Sequence, residues 1–168
     1  MFPLPHRERT SCVDEFSDDL FRFALRYTGD TDESNDAVQD CFLTLWEHHE
    51  EVQAKGAKGY LMRVLYRRLV DRHRHNAHLV VGIEHMHEQA YSPYQQIDLH
   101  DQIEQMLLTL PEIQRTLLLL RDLEGYSYRE MANITGLSQQ QVMTYLYRAR
   151  VRARKFFGDN PLNNYDHD

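Results

Sequence analysis

Two signals for the start of a helix lie eleven residues apart near the carboxyl end of the chain, and this spacing restricts the fold more than any other feature. Ser127 is followed three residues later by Glu130, and Ser138 three residues later by Gln141. In a capping box of this kind, the two side chains satisfy backbone N–H groups that are unpaired at a helix start. The interval holds only a two-turn helix and a tight turn, for which Gly136 supplies the left-handed backbone. The sequence therefore predicts a helix-turn-helix.

The second helix of this motif carries the side chains that we expect to contact DNA. Such a helix enters the major groove with its amino-terminal end first. Glutamine pairs bidentately with adenine, threonine meets the thymine methyl group, and arginine binds phosphate. The alternative is a solvated basic helix that only packs on its neighbours. The predicted DNA contacts are Ser138, Gln139, Gln140, Gln141, Thr144, Tyr145, Arg148, Arg150 and Arg152, with Arg154 and Lys155 as further phosphate contacts.

The charge of the chain is strongly segregated. The formal net charge of −7 argues against nucleic acid as a partner, but residues 1–50 hold twelve acidic and only four basic residues. Residues 58–75 hold six basic residues and one acid, and residues 145–155 hold five basic residues and no acid. Two basic surfaces are therefore available to phosphate on a protein that is acidic as a whole.

Apolar residues recur at three- and four-residue steps, which predicts an all-α chain without strands. We expect helices over about 13–27, 32–49, 60–76, 97–110 and 112–124, where Pro111 suits the first turn of the last one. The periodicity fades over residues 77–95, which we interpret as a flexible linker. The predicted organisation is two small helical domains, 1–76 and 96–168, of which the second holds the helix-turn-helix.

Other features predict a cytoplasmic protein. The amino terminus lacks the pattern of a secretory signal, and no apolar stretch is long enough for a membrane helix. Cys12 and Cys41 lie far apart without metal-ligand spacing, which favours free thiols. The histidine pairs match no zinc pattern, so we expect no metal and no cofactor. No nucleophile, acid–base pair or phosphate-binding glycine loop is evident, so we expect no enzymatic activity.

Four segments in order resemble the extracytoplasmic-function (group IV) sigma factors of the sigma-70 family. Residues 20–30 resemble the opening helix and turn, and residues 36–46 resemble the segment that docks on the polymerase clamp. Residues 60–71 resemble the helix that recognises and melts the −10 promoter element, and residues 110–127 resemble the entry to the −35-reading domain. Arg68 stands where the family usually has asparagine, and Met143 and Tyr145 stand where lysine and arginine are usual. These departures predict a weaker phosphate contact at the front of the recognition helix.

The resemblance implies promoter DNA, RNA polymerase core and an anti-sigma factor as partners. It assigns clamp docking to the polar face of the second helix and −10 recognition to the third helix. For Tyr60, a role as a core residue is as good an interpretation as a role in −10 recognition. The implied docking residues are Asp36, Gln39, Asp40, Leu43 and Glu47. The alternative interpretation is that they form an ordinary solvated face of the helix. The −10 residues are Lys58, Tyr60, Arg63, Arg67, Arg68, Arg72 and Arg74.

Two other functions stay open at this stage. A dimeric transcriptional regulator with the same motif binds palindromic operator DNA without polymerase. An interaction protein binds polymerase or another partner without reading DNA. Initiation that depends on core polymerase distinguishes a sigma factor from the dimeric regulator. A need for the arginines of the third helix distinguishes it from the interaction protein, whose activity does not depend on them.

Overall fold

The computed structural model describes residues 6–79 and 99–158, and every regular element in these two ranges is helical. The fold class predicted from the sequence, all-α with a helix-turn-helix in the second half, is confirmed. The helices are α1 (His6–Thr28), α2 (Thr31–Glu47), α3 (Ala57–Leu79), α4 (Leu99–Thr109), α5 (Glu112–Leu118), α6 (Tyr128–Thr135) and α7 (Gln139–Gly158). Two short 3₁₀ turns, His49–Glu51 and Ala54–Gly56, connect α2 to α3.

Helices α1, α2 and α3 form the amino-terminal unit, His6–Leu79. The turn between α1 and α2 needs Gly29, whose φ of 72° lies in the left-handed region. The carboxylate of Asp30 then accepts a hydrogen bond of 2.7 Å from the N–H of Glu33 and caps α2. The three helices pack around fully buried apolar side chains, including Leu20, Phe23, Leu45, Leu61 and Leu65.

Helices α4 to α7 form the carboxyl-terminal unit, Leu99–Gly158. Pro111 directly precedes α5, as expected for a residue that has no N–H to donate. Beyond α5 the helix widens into a π turn over Leu119–Leu123, in which the N–H of Glu124 bonds to the carbonyl of Leu119 at 3.1 Å. Helix α7 packs on α5 and α6 through a core that includes Leu117, Leu120, Met131 and Leu146.

Several helix boundaries differ from the predicted ones. Helix α1 begins at His6, seven residues before the predicted Val13, because the apolar stripe used for the prediction starts only where the helix meets its neighbours. Helix α3 begins at Ala57 and runs through Gly59 to Leu79, so it includes three residues that we expected in the linker. The remainder of the predicted linker, residues 80–95, lies outside the described residues.

The two units are in contact. Helix α6 packs against α3, and side chains of α1 pair with acids of the carboxyl-terminal unit. None of the helices within residues 6–79 and 99–158 is both long enough and apolar enough to cross a membrane.

Candidate nucleic-acid interface

Both predicted capping boxes are present, and they fix the geometry of the helix-turn-helix. At the start of α6 the N–H of Ser127 donates to the Glu130 carboxylate at 2.8 Å, and the N–H of Glu130 donates to Ser127 Oγ at 3.3 Å. At the start of α7 the N–H of Ser138 donates to Gln141 Oε1 at 2.9 Å, and the N–H of Gln141 donates to Ser138 Oγ at 3.1 Å. Gly136 ends α6 with a φ of 78°. The chain therefore turns where the sequence predicted.

Helix α7 has one buried face and one long exposed face. Val142, Leu146 and Ala149 point into the core and hold the helix in place. The exposed residues that we predicted as DNA contacts are Ser138, Gln139, Gln140, Gln141, Thr144, Arg148, Arg152, Arg154 and Lys155. A polar and basic surface thus faces outward from the packed motif.

Two predicted contacts on α7, Tyr145 and Arg150, are half-buried rather than exposed, and each lies against another part of the protein. Tyr145 is half-buried against the core, and the Arg148 guanidinium lies 6.0 Å from the centre of its ring. Arg150 donates to the Asp122 carboxylate at 2.8 Å, which ties α7 to the π turn before α6. Both residues lie on the same helix as the other predicted contacts, but between its buried face and its exposed face.

Sequence reasoning missed an exposed apolar stripe on α7. Met143 is 53% exposed, Tyr147 66% and Val151 43%. These residues follow one another at four-residue steps, so the stripe runs along the helix beside the glutamines. The four-residue spacing was visible in the sequence, but it is also typical of a core face. Only the packing shows that this stripe points outward and that Leu146 points inward.

Helix α3 carries the predicted −10 residues, and several of them are paired with acids. Lys58 donates to Asp19 at 2.5 Å, and this contact, more than that of Arg22, lowers the pKa of Asp19. Arg68 donates to Asp40 at 3.2 Å and to Thr44 Oγ1 at 2.8 Å.

The other predicted −10 residues divide by burial. Arg67 and Arg74 are exposed, whereas Tyr60 is half-buried and packed against the core. Arg72 lies 3.9 Å from the Asp40 carboxylate and donates to the Glu33 carbonyl at 3.5 Å. Arg63 is partly buried, and its Nε meets no acceptor within the described residues. The predicted −10 surface therefore contains both cations that project into solvent and cations that are paired within the protein.

The polar face of α2 lies next to this cationic surface. Asp36, Gln39, Leu43 and Glu47 are exposed and Asp40 is half-exposed, while Phe42 is buried as expected and Trp46 is only half-buried. Leu43 is 59% exposed, which leaves an apolar side chain among carboxylates. On the buried face of the same helix, burial raises the pKa of the Cys41 thiol to about 12. Asp40 belongs to both predicted surfaces, because it lies on the predicted docking face of α2 and also accepts the hydrogen bond from Arg68.

Metal-ligating residues do not cluster in the part of the chain that the structure describes: no group of three His, Cys, Asp or Glu side chains is placed to hold an ion. His85 and His87 lie outside the described residues. Cys12 and Cys41 are both buried.

Comparison with known proteins assigns both units. Residues 12–78 match the family Sigma-70 region 2, and residues 100–152 match the family Sigma-70, region 4. The RNA polymerase sigma factor SigV of Bacillus subtilis is 28% identical over 144 residues, which cover 83% of this chain and 84% of SigV. The ECF RNA polymerase sigma factor SigM of the same organism is 24% identical over 147 residues, which cover 84% of this chain and 90% of SigM.

This chain belongs to the extracytoplasmic-function sigma factors of the sigma-70 family. Solved structures show the same fold. The sigma factor RpoE of Bartonella quintana, in complex with the anti-sigma factor NepR, superposes with a TM-score of 0.73 at 23% identity, covering 89% of this chain and 96% of RpoE. CnrH, in complex with the cytosolic domain of CnrY, superposes with a TM-score of 0.70 at 20% identity, covering 93% of this chain and 91% of CnrH. The chain is thus an alternative sigma factor, a class of initiation factors that are not catalysts.

Proposed function

We propose that this sigma factor directs RNA polymerase core to promoters through three surfaces: the polar face of α2, the cationic face of α3 and the outward face of α7. The observation that carries the proposal is the arrangement of α7. Its apolar residues anchor it in a capped helix-turn-helix, and its glutamines and arginines stand outward. A helix held in this way fits the major groove.

The −35 element is read by the front of α7. Gln139, Gln140 and Thr144 are exposed there and supply the donors, acceptors and methyl contacts that distinguish adenine and thymine. Arg148 and Arg152 follow behind them and are placed to bind phosphates. We propose that Ser138, Gln141, Tyr145 and Arg150 also contact the −35 element. Ser138 and Gln141 cap the helix as well, and Arg150 ties it to Asp122.

The −10 element is read by α3. Arg67 and Arg74 project into solvent, and Arg68 and Arg72 stand beside them with Asp40 as a counter-charge. Cations along one face follow the backbone of an opened strand, and an aromatic residue stacks on an exposed base. We include Lys58, Tyr60 and Arg63 in this surface as the part nearest the amino-terminal end of α3.

The core polymerase is bound by α2. Its exposed residues Asp36, Gln39, Leu43 and Glu47, together with Asp40, present carboxylates around one apolar side chain. Carboxylates direct the approach to a basic partner surface, and an exposed leucine adds apolar contact area. The polymerase carries out the chemistry.

The domain division that we propose is 1–76 for docking and −10 recognition, 77–95 for the linker, and 96–168 for −35 recognition. The protein acts where polymerase and chromosome are, in the cytoplasm, and needs no metal or cofactor of its own. The family matches to residues 12–78 and 100–152 support this division.

Initiation in vitro tests the proposed function. The purified chain is mixed with core polymerase and fragmented genomic DNA, and the 5′ ends of the transcripts are sequenced. We expect starts that depend on both proteins and that share one pair of upstream motifs. A dimeric regulator would instead protect palindromic sites by itself, and no core-dependent start at any fragment contradicts the proposal.

Charge-reversal variants separate the proposed surfaces on α2 and α3. Charge reversal of Arg67 and Arg74 is expected to abolish promoter opening while core binding persists. Charge reversal of Asp36 and Glu47 is expected to abolish core binding. An interaction protein that does not read DNA would keep its activity in the Arg67 and Arg74 variant, which contradicts the −10 assignment.

We further propose that an anti-sigma factor holds this protein inactive by covering the cationic faces of α3 and α7. The proposal is supported by the two similar solved structures, each of which is a complex: RpoE with the anti-sigma factor NepR, and CnrH with the cytosolic domain of CnrY. The test is to purify the tagged chain from its own cells, identify the bound protein and add it to the transcription assay. We expect initiation to stop, and unchanged initiation contradicts the proposal.

A further inference from the structure

The outward side of α7 carries an apolar stripe among the residues that we assign to the −35 element. Met143, Tyr147 and Val151 are 53%, 66% and 43% exposed, whereas Val142 and Leu146 beside them fill the core. Single exposed apolar residues are common on protein surfaces, but these three are neighbours on one helix. The helix face that we propose to enter the groove is therefore partly apolar.

Polar and basic side chains border this stripe. Gln140, Thr144 and Arg148 are exposed, and each lies three residues before a member of the stripe and next to it on the helix surface. Helix α7, Gln139–Gly158, contains no aspartate or glutamate. In the major groove, thymine methyl groups lie beside the hydrogen-bonding edges of the bases, with phosphates on either side. The apolar stripe and its borders match this pattern.

The distance along the helix limits which members of the stripe reach the bases. With a rise of 1.5 Å per residue, Met143 and Tyr147 lie about 6 Å and about 12 Å beyond Gln139, and Val151 lies about 18 Å beyond it. A recognition helix enters with its amino-terminal end first, and the major groove is about 12 Å wide. Met143 and Tyr147 therefore fall within the groove, and Val151 falls outside it.

The size of the stripe favours DNA over a protein as the group that covers it. A stable protein interface buries roughly 800 Å² on each partner, which three partly exposed side chains cannot supply. A thymine methyl group, in contrast, needs only one apolar side chain to cover it. The stripe by itself is thus suited to a few methyl groups.

We infer that Met143 and Tyr147 determine specificity by contacting the C5-methyl groups of two thymines in the −35 element. A methyl contact carries sequence information, which a phosphate contact does not. Because the two residues are about 6 Å apart along the helix, their thymines lie within about two base pairs of one another. The inference rests on the proposed function in one respect, that α7 enters the groove at the −35 element.

Uracil in place of thymine tests this contact, because it removes the methyl group and keeps the hydrogen-bonding edge of the base. The full chain, alone and in complex with core polymerase, selects duplexes from a randomised pool. Each thymine of the selected upstream motif is then replaced in turn by deoxyuridine, and the affinity is measured. At each of two thymines we expect a loss of about fourfold, which corresponds to the burial of one methyl group.

Alanine variants assign each thymine to its residue. In Met143→Ala, thymine and uracil are expected to bind equally at one of the two positions, and in Tyr147→Ala at the other, because the methyl group has lost its partner. Tyr147→Phe keeps the ring and is expected to keep the preference for thymine. Val151→Ala is the matched control within the stripe and is expected to keep both preferences.

Salt dependence distinguishes this role from phosphate binding. An apolar contact releases no counterions, so Met143→Ala and Tyr147→Ala are expected to leave the slope of log affinity against log salt unchanged. Arg152→Ala is expected to reduce that slope by about one and to weaken binding equally for thymine and uracil. Because Met143 and Tyr147 are exposed, their alanine variants are expected to keep the denaturation midpoint of the parent protein.

Three results refute the methyl contacts even when core-dependent initiation is intact. The first is a selected upstream motif without thymine, and the second is equal binding of thymine and uracil by the unchanged protein. The third is a preference for thymine that survives in both Met143→Ala and Tyr147→Ala. If these two variants and Val151→Ala all bind DNA normally but lose a protein that copurifies with the chain, the stripe belongs to that protein and the inference is wrong.

The remaining outcomes separate this inference from the proposed function. If the chain selects a duplex by itself and the uracil test gives the expected result, but no core-dependent initiation is found, the methyl contacts stand and the proposed function fails. If neither the chain nor its complex with core polymerase selects any duplex, both are refuted.

Discussion

The two helices that we assign to promoter DNA, α3 and α7, have a similar excess of basic residues but differ in how many of these residues are paired with acids. On α3, Lys58 is paired with Asp19, and Arg68 and Arg72 share Asp40. On α7, one arginine, Arg150, is paired with an acid among the described residues. The helix proposed to meet an opened strand is thus partly neutralised by acids of its own unit, whereas the helix proposed to meet the duplex projects most of its cations into solvent.

This difference has a functional consequence. Unspecific attraction to duplex DNA grows with the number of cations that are available to phosphate. Acids beside α3 reduce that number until a stronger partner displaces them. The proposed clamp docking through Asp40 would be such an event, because the carboxylate that accepts from Arg68 also belongs to the proposed docking face. The comparison therefore predicts that changes in α7 act on binding or folding directly, while changes around α3 act through a neighbouring acid.

The largest expected effect comes from the buried face of α7. Leu146→Ala removes a side chain that is 1% exposed and leaves a cavity, so we expect a loss of about 2–5 kcal/mol in the free energy of unfolding. The neighbouring Tyr147→Ala is the control, because Tyr147 is 66% exposed and its loss is expected to leave the denaturation midpoint nearly unchanged. Urea denaturation followed by circular dichroism measures both, and equal losses would contradict the assigned orientation of α7.

A smaller effect is expected on the outward face of α7. Gln140→Ala removes the bidentate base contact that we propose, and we expect it to reduce discrimination at one −35 base pair by about 1–3 kcal/mol without changing stability. The measurement is initiation from a set of promoters with single substitutions across the −35 element. If Gln140 contacts only phosphate, the variant weakens all promoters equally and the assignment to a base is wrong.

The two capping boxes are expected to respond differently to pH. Hydrogen bonds from the backbone and side chain of Ser127 lower the pKa of Glu130 below its usual 4.5, so its contribution to stability is present above that value and is lost as the pH falls through the folded pKa. The Ser138 box uses Gln141, which does not titrate. Ser127→Ala and Ser138→Ala are each expected to cost about 1 kcal/mol at neutral pH. Thermal denaturation between pH 3 and 7 measures how far the melting temperature falls on acidification. This fall is expected to be smaller in Glu130→Gln, which lacks the titrating carboxylate, than in Gln141→Ala, which keeps it.

The smallest expected effect concerns the acid beside α3. Asp40→Asn removes the counter-charge of Arg68 and Arg72, both at least one-third exposed, so the expected change in stability is below about 1 kcal/mol. Affinity for a non-promoter duplex is expected to rise, with a steeper dependence on salt. Gln39→Ala, on the same exposed face, is the control. An unchanged salt dependence in Asp40→Asn would show that the pair does not limit phosphate binding.

The local features of the fold were predictable because they depend on neighbouring residues. The capping boxes at Ser127 and Ser138, the turn at Gly136 and the helix start after Pro111 each follow from side chains within a few positions. Helix ends were predicted less well: α1 extends seven residues earlier than expected, because a helix continues beyond the stripe that it buries. The predicted DNA-contacting residues lie on α3 and α7 as expected, while their assignment to individual DNA contacts remains a proposal.

The sequence by itself determined an all-helical chain, a helix-turn-helix and two basic segments, because periodicity, caps and charge are local properties. The tertiary structure decided which cations have partners and which side of α7 faces outward. It also placed Glu124 against Arg22, which is 102 positions away in the chain. Pairings of this kind depend on how helices pack, and no pattern of spacing encodes them. For the same reason, the exposed stripe of Met143, Tyr147 and Val151 became visible only when Val142 and Leu146 were seen to fill the core.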